Sequence, residues 1–362
     1  MRSLIVTAIA SIFLTGCAAK VGPYNTKTDS VAYNKAIQQG SDKQLLLNIV
    51  RMKYRDNPTF LDIGIVSAAY EFKRSGNVNF KFDTSTASNI GISPTFGIDY
   101  LEKPTTTYQL LKGEGLVKQI MSPISIQTLY LLNSSGWRID RILRCCVQRM
   151  NNLNNAVSAS RPTPSMAPEY ERFLELTKLL HELESNEDIE IIADQNSETG
   201  KFEFLLQIDP KSADKCIMNK IWTLLDLEPE TYDIKLVPYH SRENKANEVH
   251  VDTRSPLSVL YFLSQGVHAP LEDQEFGLVT TTYDRDGNLF DWDRVLGGII
   301  SIHSDPCSCN ECDYGVSVNY RGHTFYIRDT DLTSKSTFSL LSQLLALQTG
   351  NPIIPVYTLQ LN

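Results

Sequence analysis

The sequence predicts an α+β protein, and three patterns carry that prediction. Apolar residues recur at helical spacing over 42–55 and 169–184, they alternate with polar ones at period two over 77–101, and short β-branched runs precede a long C-terminal helix. A hydrophobic content of 42% with 21% charged residues suits a chain that buries a core, and 362 residues suffice for two domains or one large one. The formal charge of −8, with no basic cluster, argues against nucleic acid as a partner.

At the N-terminus, Arg2 supplies a positive start, Leu4 to Leu14 form a short apolar run, and Leu14-Thr15-Gly16-Cys17 closes it. The run is too short to cross a bilayer and has the layout of a secretory signal peptide over 1–16. LTGC resembles the lipobox of bacterial lipoproteins. The resemblance implies that the Cys17 thiol takes a diacylglyceryl group, that the signal is removed, and that the new amino group is acylated. A single acyl chain holds a protein only marginally, whereas two or three anchor it stably. Ala18, where lipoproteins of the inner membrane commonly carry Asp, implies the outer membrane, with the body facing the periplasm. The alternative is an ordinary cleaved signal with an incidental cysteine.

Residues 17–30 are polar, include Gly22 and Pro23, and are expected to form a lipidated tether. Ser41 is placed to cap a helix from Asp42 to about Arg55, which Pro58 ends. Leu45, Leu46, Ile49, Val50 and Met52 share its buried arc, and Lys43, Asn48, Arg51 and Arg55 take the other. Residues 60–72 read as a strand. Val78, Phe80, Phe82 and Thr84 then alternate with Asn79, Lys81, Asp83 and Ser85, and Ile90, Ile92, Phe96, Ile98 and Tyr100 resume the apolar series. The preferred reading of this amphipathic hairpin is a pair of strands half-buried on the protein's own core. The alternative is a pair that each subunit of a ring contributes to a shared barrel, since strands of ~9 to 11 alternating residues cross a bilayer.

From Gly113 to Asn152 the pattern is helical, in three pieces broken at Ser122-Pro123 and at 134–136. In the last piece Ile139, Leu143, Cys146 and Met150 lie at helical spacing, Trp137 packs at the entry, and Arg138, Arg141, Arg144 and Arg149 read as a solvated face. These pieces complete a helical region over 31–157. The Ser- and Pro-rich stretch 158–168 is expected to be a linker, followed by an α+β domain over 169–362. There the patterns predict a helix over 169–184, strands near 189–194 and 202–208, and a helix near 212–225. Strands near 232–237 and 247–253 and a short helix opened by Ser255-Pro256 come next. A β-meander near 278–283, 298–303, 315–320 and 323–328, a helix over 334–349 and a last strand to Leu361 complete it. No charged residue follows Lys335, so the half of the final helix that carries Ser339 and Gln343 reads as a second packing surface, within the domain or against another subunit.

The strongest local constellation is His303, Cys307, Cys309 and Cys312, between two predicted strands. Three thiols and an imidazole could bind zinc, but C-x-C-x2-C lacks a second paired half, and in an oxidising compartment a disulfide is the preferred reading. No cofactor is therefore expected. Cys145 and Cys146 are expected as buried thiols in a helix. Asp284, Asp286, Gly287 and Asn288 lack the further ligands of a calcium loop and read as an Asp-Gly turn. His323, Asp329 and Asp331 could be drawn as a base with carboxylates, yet no nucleophile elbow, phosphate loop or HExxH accompanies them, and Asp331 and Thr333 read as helix-entry residues.

Residues 45–63, the SPISIQTLYLL segment with SGWRIDRILRCCVQRMN after it, and residues 321–350 resemble segments of uncharacterised lipoproteins of Gram-negative bacteria. That family transfers no activity. The expectation is a non-enzymatic outer-membrane lipoprotein that serves as a structural or assembly component of an envelope complex. Its partners would be the bilayer, through acylated Cys17, and envelope proteins or further copies of itself. The alternatives are a periplasmic module that binds a small ligand or cell-wall fragment, and a hydrolase with an unrecognised site.

Overall fold

A computed structural model describes residues 21–82, 90–110, 113–162, 164–195, 202–239, 246–306 and 314–349, with side chains included except over 21–30, 62–82 and 90–110 and at 116 and 349. The chain opens with α1 (Val21–Lys53), runs into a ribbon of two strands, β1 (Leu61–Phe82) and β2 (Ile90–Leu110), and then folds the body. The body starts with α2 (Gly113–Leu116), a π-helical turn (Val117–Met121), α3 (Ile126–Ser134), α4 (Ile139–Cys146), β3 (Val147–Met150) and β4 (Leu153–Asn154). It continues with α5 (Glu171–Ser185), β5 (Ile189–Gln195), β6 (Phe202–Ile208), α6 (Lys215–Leu225), β7 (Asp233–Pro238), β8 (Glu248–Thr253) and α7 (Pro256–Ser264). The last elements are α8 (Leu271–Glu275), α9 (Asp293–Leu296), β9 (His303–Pro306), β10 (Tyr314–Tyr320), β11 (His323–Arg328) and α10 (Leu332–Thr349). The predicted α+β class holds.

The main sheet has the order β4-β3-β8-β7-β6-β5 and is antiparallel except for the parallel β7–β8 pair. It takes two strands from before the 158–168 stretch and four from after it, and one hydrophobic core lies under both. Phe173, Leu176, Leu180 and Leu183 of α5 are buried in that core, at the spacing the sequence predicts. A smaller sheet has the order β10-β11-β9.

Several elements differ from expectation, each for a local reason. The helix expected from Asp42 starts at Val21, so residues 21–30 of the expected tether are helical, and Pro23 falls in the first turn, where its missing N–H is tolerated. Its C-terminus closes before Pro58: Arg55 takes a left-handed φ of 60°, its N–H donates to Met52 O, and Asp56 N–H donates to Arg51 O. Asn48, expected on the polar arc, is buried and clasps Thr59 through both its amide N–H and its amide oxygen, which ties the ribbon's base to α1. The third helical piece stops at Cys146, because Val147 to Met150 pair with β8 and β4 instead of continuing the helix. The meander has three strands, not four. Residues 278–283 have the β-branched composition of a strand but make only isolated bridges, and Thr280 and Thr282 bond through their hydroxyls to Arg55 and to Pro164 O.

Of the four arginines expected on a solvated face, Arg138 is exposed and pairs with Asp140, whereas the other three turn to distant segments. Arg141 donates to Thr333 O and Thr337 Oγ1, Arg144 donates to Val295 O and Gly297 O, and Arg149 donates to the Tyr239 hydroxyl, so they tie the helix and the strand after it to distant segments.

The ribbon is the outlying element. β1 and β2, of 22 and 21 residues, pair with each other along nearly their whole length, about 70 Å at ~3.3 Å per residue, and no body element packs on them to a comparable extent. The preferred expectation of a hairpin half-buried on the protein's own core concerns side chains that lie outside those described. Two strands alone are marginally stable in water, and their own pairing leaves both outer edges open.

Candidate functional site

The sequence-predicted positions fall apart in the fold. Cys17, Cys307, Cys309 and Cys312, and the expected last strand, lie outside the described residues. His303 opens β9, where its ring stacks on His268 with centroids 5.5 Å apart. Burial is the first cause that lowers the His303 pKa, and the nearby charges of Arg328 and His268 add to it. Among the described residues no group of three or more His, Cys, Asp or Glu is arranged to hold a metal. Asp331 accepts from the Ser334 N–H and hydroxyl at the start of α10, as its helix-entry reading expects, and Asp329 pairs with Lys335. The Asp284 carboxylate accepts from the Asp286 and Asn288 N–H groups around Gly287, which has a φ of 84°, as expected of an Asp-Gly turn. Cys145 and Cys146 are buried free thiols, as expected.

What the fold does assemble is a cavity of about 180 Å³ at the C-terminal end of α1. Its floor is the stretch Gln265 to Ala269, which follows α7. This stretch is held flat against Ile302 by the Ile302 N–H donating to Gly266 O and the His268 N–H donating to Ile302 O. Gly266 is required there, since a Cβ would meet Ile300 O at 2.9 Å. Thr280 to Thr282 form one wall and Leu289 to Asp293 another. Lys53, the last residue of α1, enters from the side.

Two groups in this cavity are unusual. Lys53 is only 8% exposed, and no ion pair or hydrogen bond reaches its ammonium among the described residues. Burial alone pushes its pKa down to about 8, so it is still mostly cationic at neutral pH. Gln265 is 6% exposed. Its Nε2 donates to Tyr261 O at 3.2 Å, which fixes the orientation of the amide and leaves Oε1 buried without a partner. Asp291 and Asp293 stand at the exposed rim, with Asp293 Oδ1 3.7 Å from His268 Nε2. A buried acceptor without a protein partner opposes folding, as does the desolvation of the Lys53 side chain.

The end of α1 that carries Lys53 is held firmly. The Tyr54 hydroxyl donates to Asp273 Oδ2 at 2.5 Å, Asp56 accepts from the Tyr320 hydroxyl and from Arg321 Nη2, and the Arg321 guanidinium lies over the Tyr54 ring. Sequence reasoning missed this site because Lys53 sits beside an apolar arc, in the last turn of a helix where a cation is ordinary. Set against protein-family models, curated proteins and solved structures, the chain matches none of them.

Proposed function

We propose that the protein is a lipid-anchored component of an outer-membrane assembly in which several copies pool their ribbons into one shared β-barrel. The observation that carries this reading is the register of the ribbon. Phe72, Val78, Phe80 and Phe82 stand opposite Tyr100, Pro94, Ile92 and Ile90, so the two apolar series of the sequence share one face. Lys73, Asn77, Asn79 and Lys81 stand opposite Asp99, Thr95, Ser93 and Gly91 on the other face.

The dimensions agree with a bilayer. From Ile90 to Tyr100 the apolar series of β2 spans about 33 Å of strand, which at a tilt of ~40° covers about 25 Å, the height of the apolar band of such barrels, while on β1 Arg74 interrupts the same face opposite Ile98, near its end. Aromatic residues stand at both ends of the series, Tyr70, Phe72 and Tyr100 at one and Phe80 and Phe82 at the other, as interfacial girdles do. In hydrocarbon an open strand edge is untenable, so a two-stranded ribbon requires further strands on both sides, and more copies of the same chain supply them. The lipobox at Cys17 supports the same address from the sequence.

Paired variants test the reading. Val78→Arg adds a charge near the middle of the apolar face, where such a residue costs about 2–4 kcal/mol, whereas Asn79→Arg adds the same charge one position on, to the polar face. Native membranes would be extracted in detergent and the complex sized. Val78→Arg is expected to abolish the large species and Asn79→Arg to keep it. Equal behaviour of the two variants, or a monomer from the parent chain, would refute the barrel.

A further inference from the structure

Resting on the shared-barrel reading, we propose that neighbouring copies of this chain also join through their bodies, with the apolar patch on α8 of one copy seated on the apolar patch of the π-helical turn and α10 of the next. The two patches stand at the two feet of the ribbon. On the incoming side Leu271, Phe276 and Leu278 are 76%, 79% and 41% exposed. The bond from the Tyr54 hydroxyl to Asp273 and the bond from Arg55 to Thr280 hold this stretch to the chain just before β1. On the outgoing side Val117 and Met121 are 53% and 50% exposed on the turn that follows β2. Leu131 of α3 and Leu347 of α10 are exposed as well, and α10 packs on both the turn and α3. α7 packs against α1 and against the turn, and so stands between the two patches.

A closed ring fixes which surfaces meet. In a barrel of identical ribbons β1 of one copy pairs with β2 of the next, so the foot of β1 on one body faces the foot of β2 on its neighbour. The contact then joins two different surfaces and repeats around the ring, and every copy carries one patch of each kind. Charge agrees with that pairing. Exposed Glu272 and Glu275 lie among the apolar residues of α8, exposed Lys118 lies between Val117 and Met121, and α10 carries no charge after Lys335. Each patch alone is of a size that ordinary monomers tolerate, and the two together with a polar rim approach the ~1,200–2,000 Å² of a stable interface.

The test replaces Phe276 of the full-length protein by the photo-crosslinker benzoylphenylalanine and irradiates native membranes. The dimer band is cut from a denaturing gel and its cross-linked peptides are identified by mass spectrometry. The expected product joins position 276 of one copy to the 117–121 turn, Leu131 or Leu347 of another. Phe276→Asp and Met121→Asp change exposed side chains, so each is expected to leave the thermal melt of the body unchanged and to lower the yield of the large detergent-extracted species at least ~10-fold. A dimer joined through two 276 positions, a dimer joined to any other surface, or a large species that forms with no such dimer would overturn the pairing and leave the shared barrel standing. An assembly unchanged in both folded variants would overturn it too. If the parent chain forms no large species, the barrel and this contact fall together.

Discussion

Replacing Arg254 by Met is the sharpest perturbation the body offers. This guanidinium is 1% exposed and makes no ion pair among the described residues; it lies 4.0 Å over the ring of Phe262 and serves as the cap of α4. Its Nη1 donates to the carbonyls of Arg144, Cys145 and Val147, its Nη2 to Asn155 O and its Nε to Ser160 Oγ, while its own backbone N–H takes Cys146 O. Asn155 Nδ2 also donates to Leu143 O, Arg144 O and Val147 O. The side chain's loss therefore strands chiefly Cys145 O and Asn155 O. At about 1–3 kcal/mol for each buried carbonyl left unpaired, the gross loss is roughly 2–6 kcal/mol. Relief from the burial of a cation offsets part of it, since burial already draws the arginine pKa down to about 10. A net loss of about 3 kcal/mol is expected, and Met preserves most of the packed volume. Urea unfolding followed by circular dichroism measures it, and for a slope near ~3 kcal/mol/M the midpoint falls by about 1 M. Arg254→Lys, which keeps the charge but not the fork, is expected to lie between Met and the parent. A loss under ~1 kcal/mol for Met would refute the reasoning, because the carbonyls would then have other donors.

Three further outcomes follow from the structure. Lys53 has a pKa of about 8 when folded against an ordinary 10.5, so the unfolded chain binds the extra proton between those values. The parent should therefore gain stability as pH rises from 8 to 10.5, and Lys53→Met should be the more stable protein at pH 7 by a few kcal/mol and lose that rise. The difference between the two proteins in urea at pH 7, 9 and 10.5 isolates the lysine from the tyrosines that titrate alongside. Cys145 and Cys146 are buried with their thiols pushed up in pKa, so in native protein a thiol reagent should modify exposed Cys216 quickly and these two only in denaturant, read by mass spectrometry of peptides. Ser339→Glu together with Gln343→Glu should change the unfolding midpoint of the isolated chain little. Both positions are exposed, and a Glu oxygen still accepts the Trp137 N–H that Gln343 Oε1 takes at 2.7 Å. If the uncharged side of α10 meets another subunit, the same pair lowers the yield of the assembled species, and an unchanged assembly would exclude that face from the contact.

Periodicity along the chain was enough to determine what depends on near neighbours. The α+β class, α5 to α7, β5 to β8, the alternation of the ribbon, the buried pair Cys145 and Cys146 and the Asp284 turn were all legible, because spacing, caps and turn residues act within a few positions. Only the tertiary structure decided what depends on a distant partner. Val147 to Met150 carry a helical pattern and become a strand because β8 lies beside them, and residues 278–283 carry a strand's composition and lack a neighbour to pair with. Arg144 reads as a surface cation until the carbonyls of Val295 and Gly297 reach it. Lys53 and Gln265 are ordinary residues in sequence, and they come together in one cavity because α1 ends beside the stretch after α7, where both are largely buried. Desolvation and pairing are properties of the assembled surroundings, and a single residue's place in the sequence does not encode them.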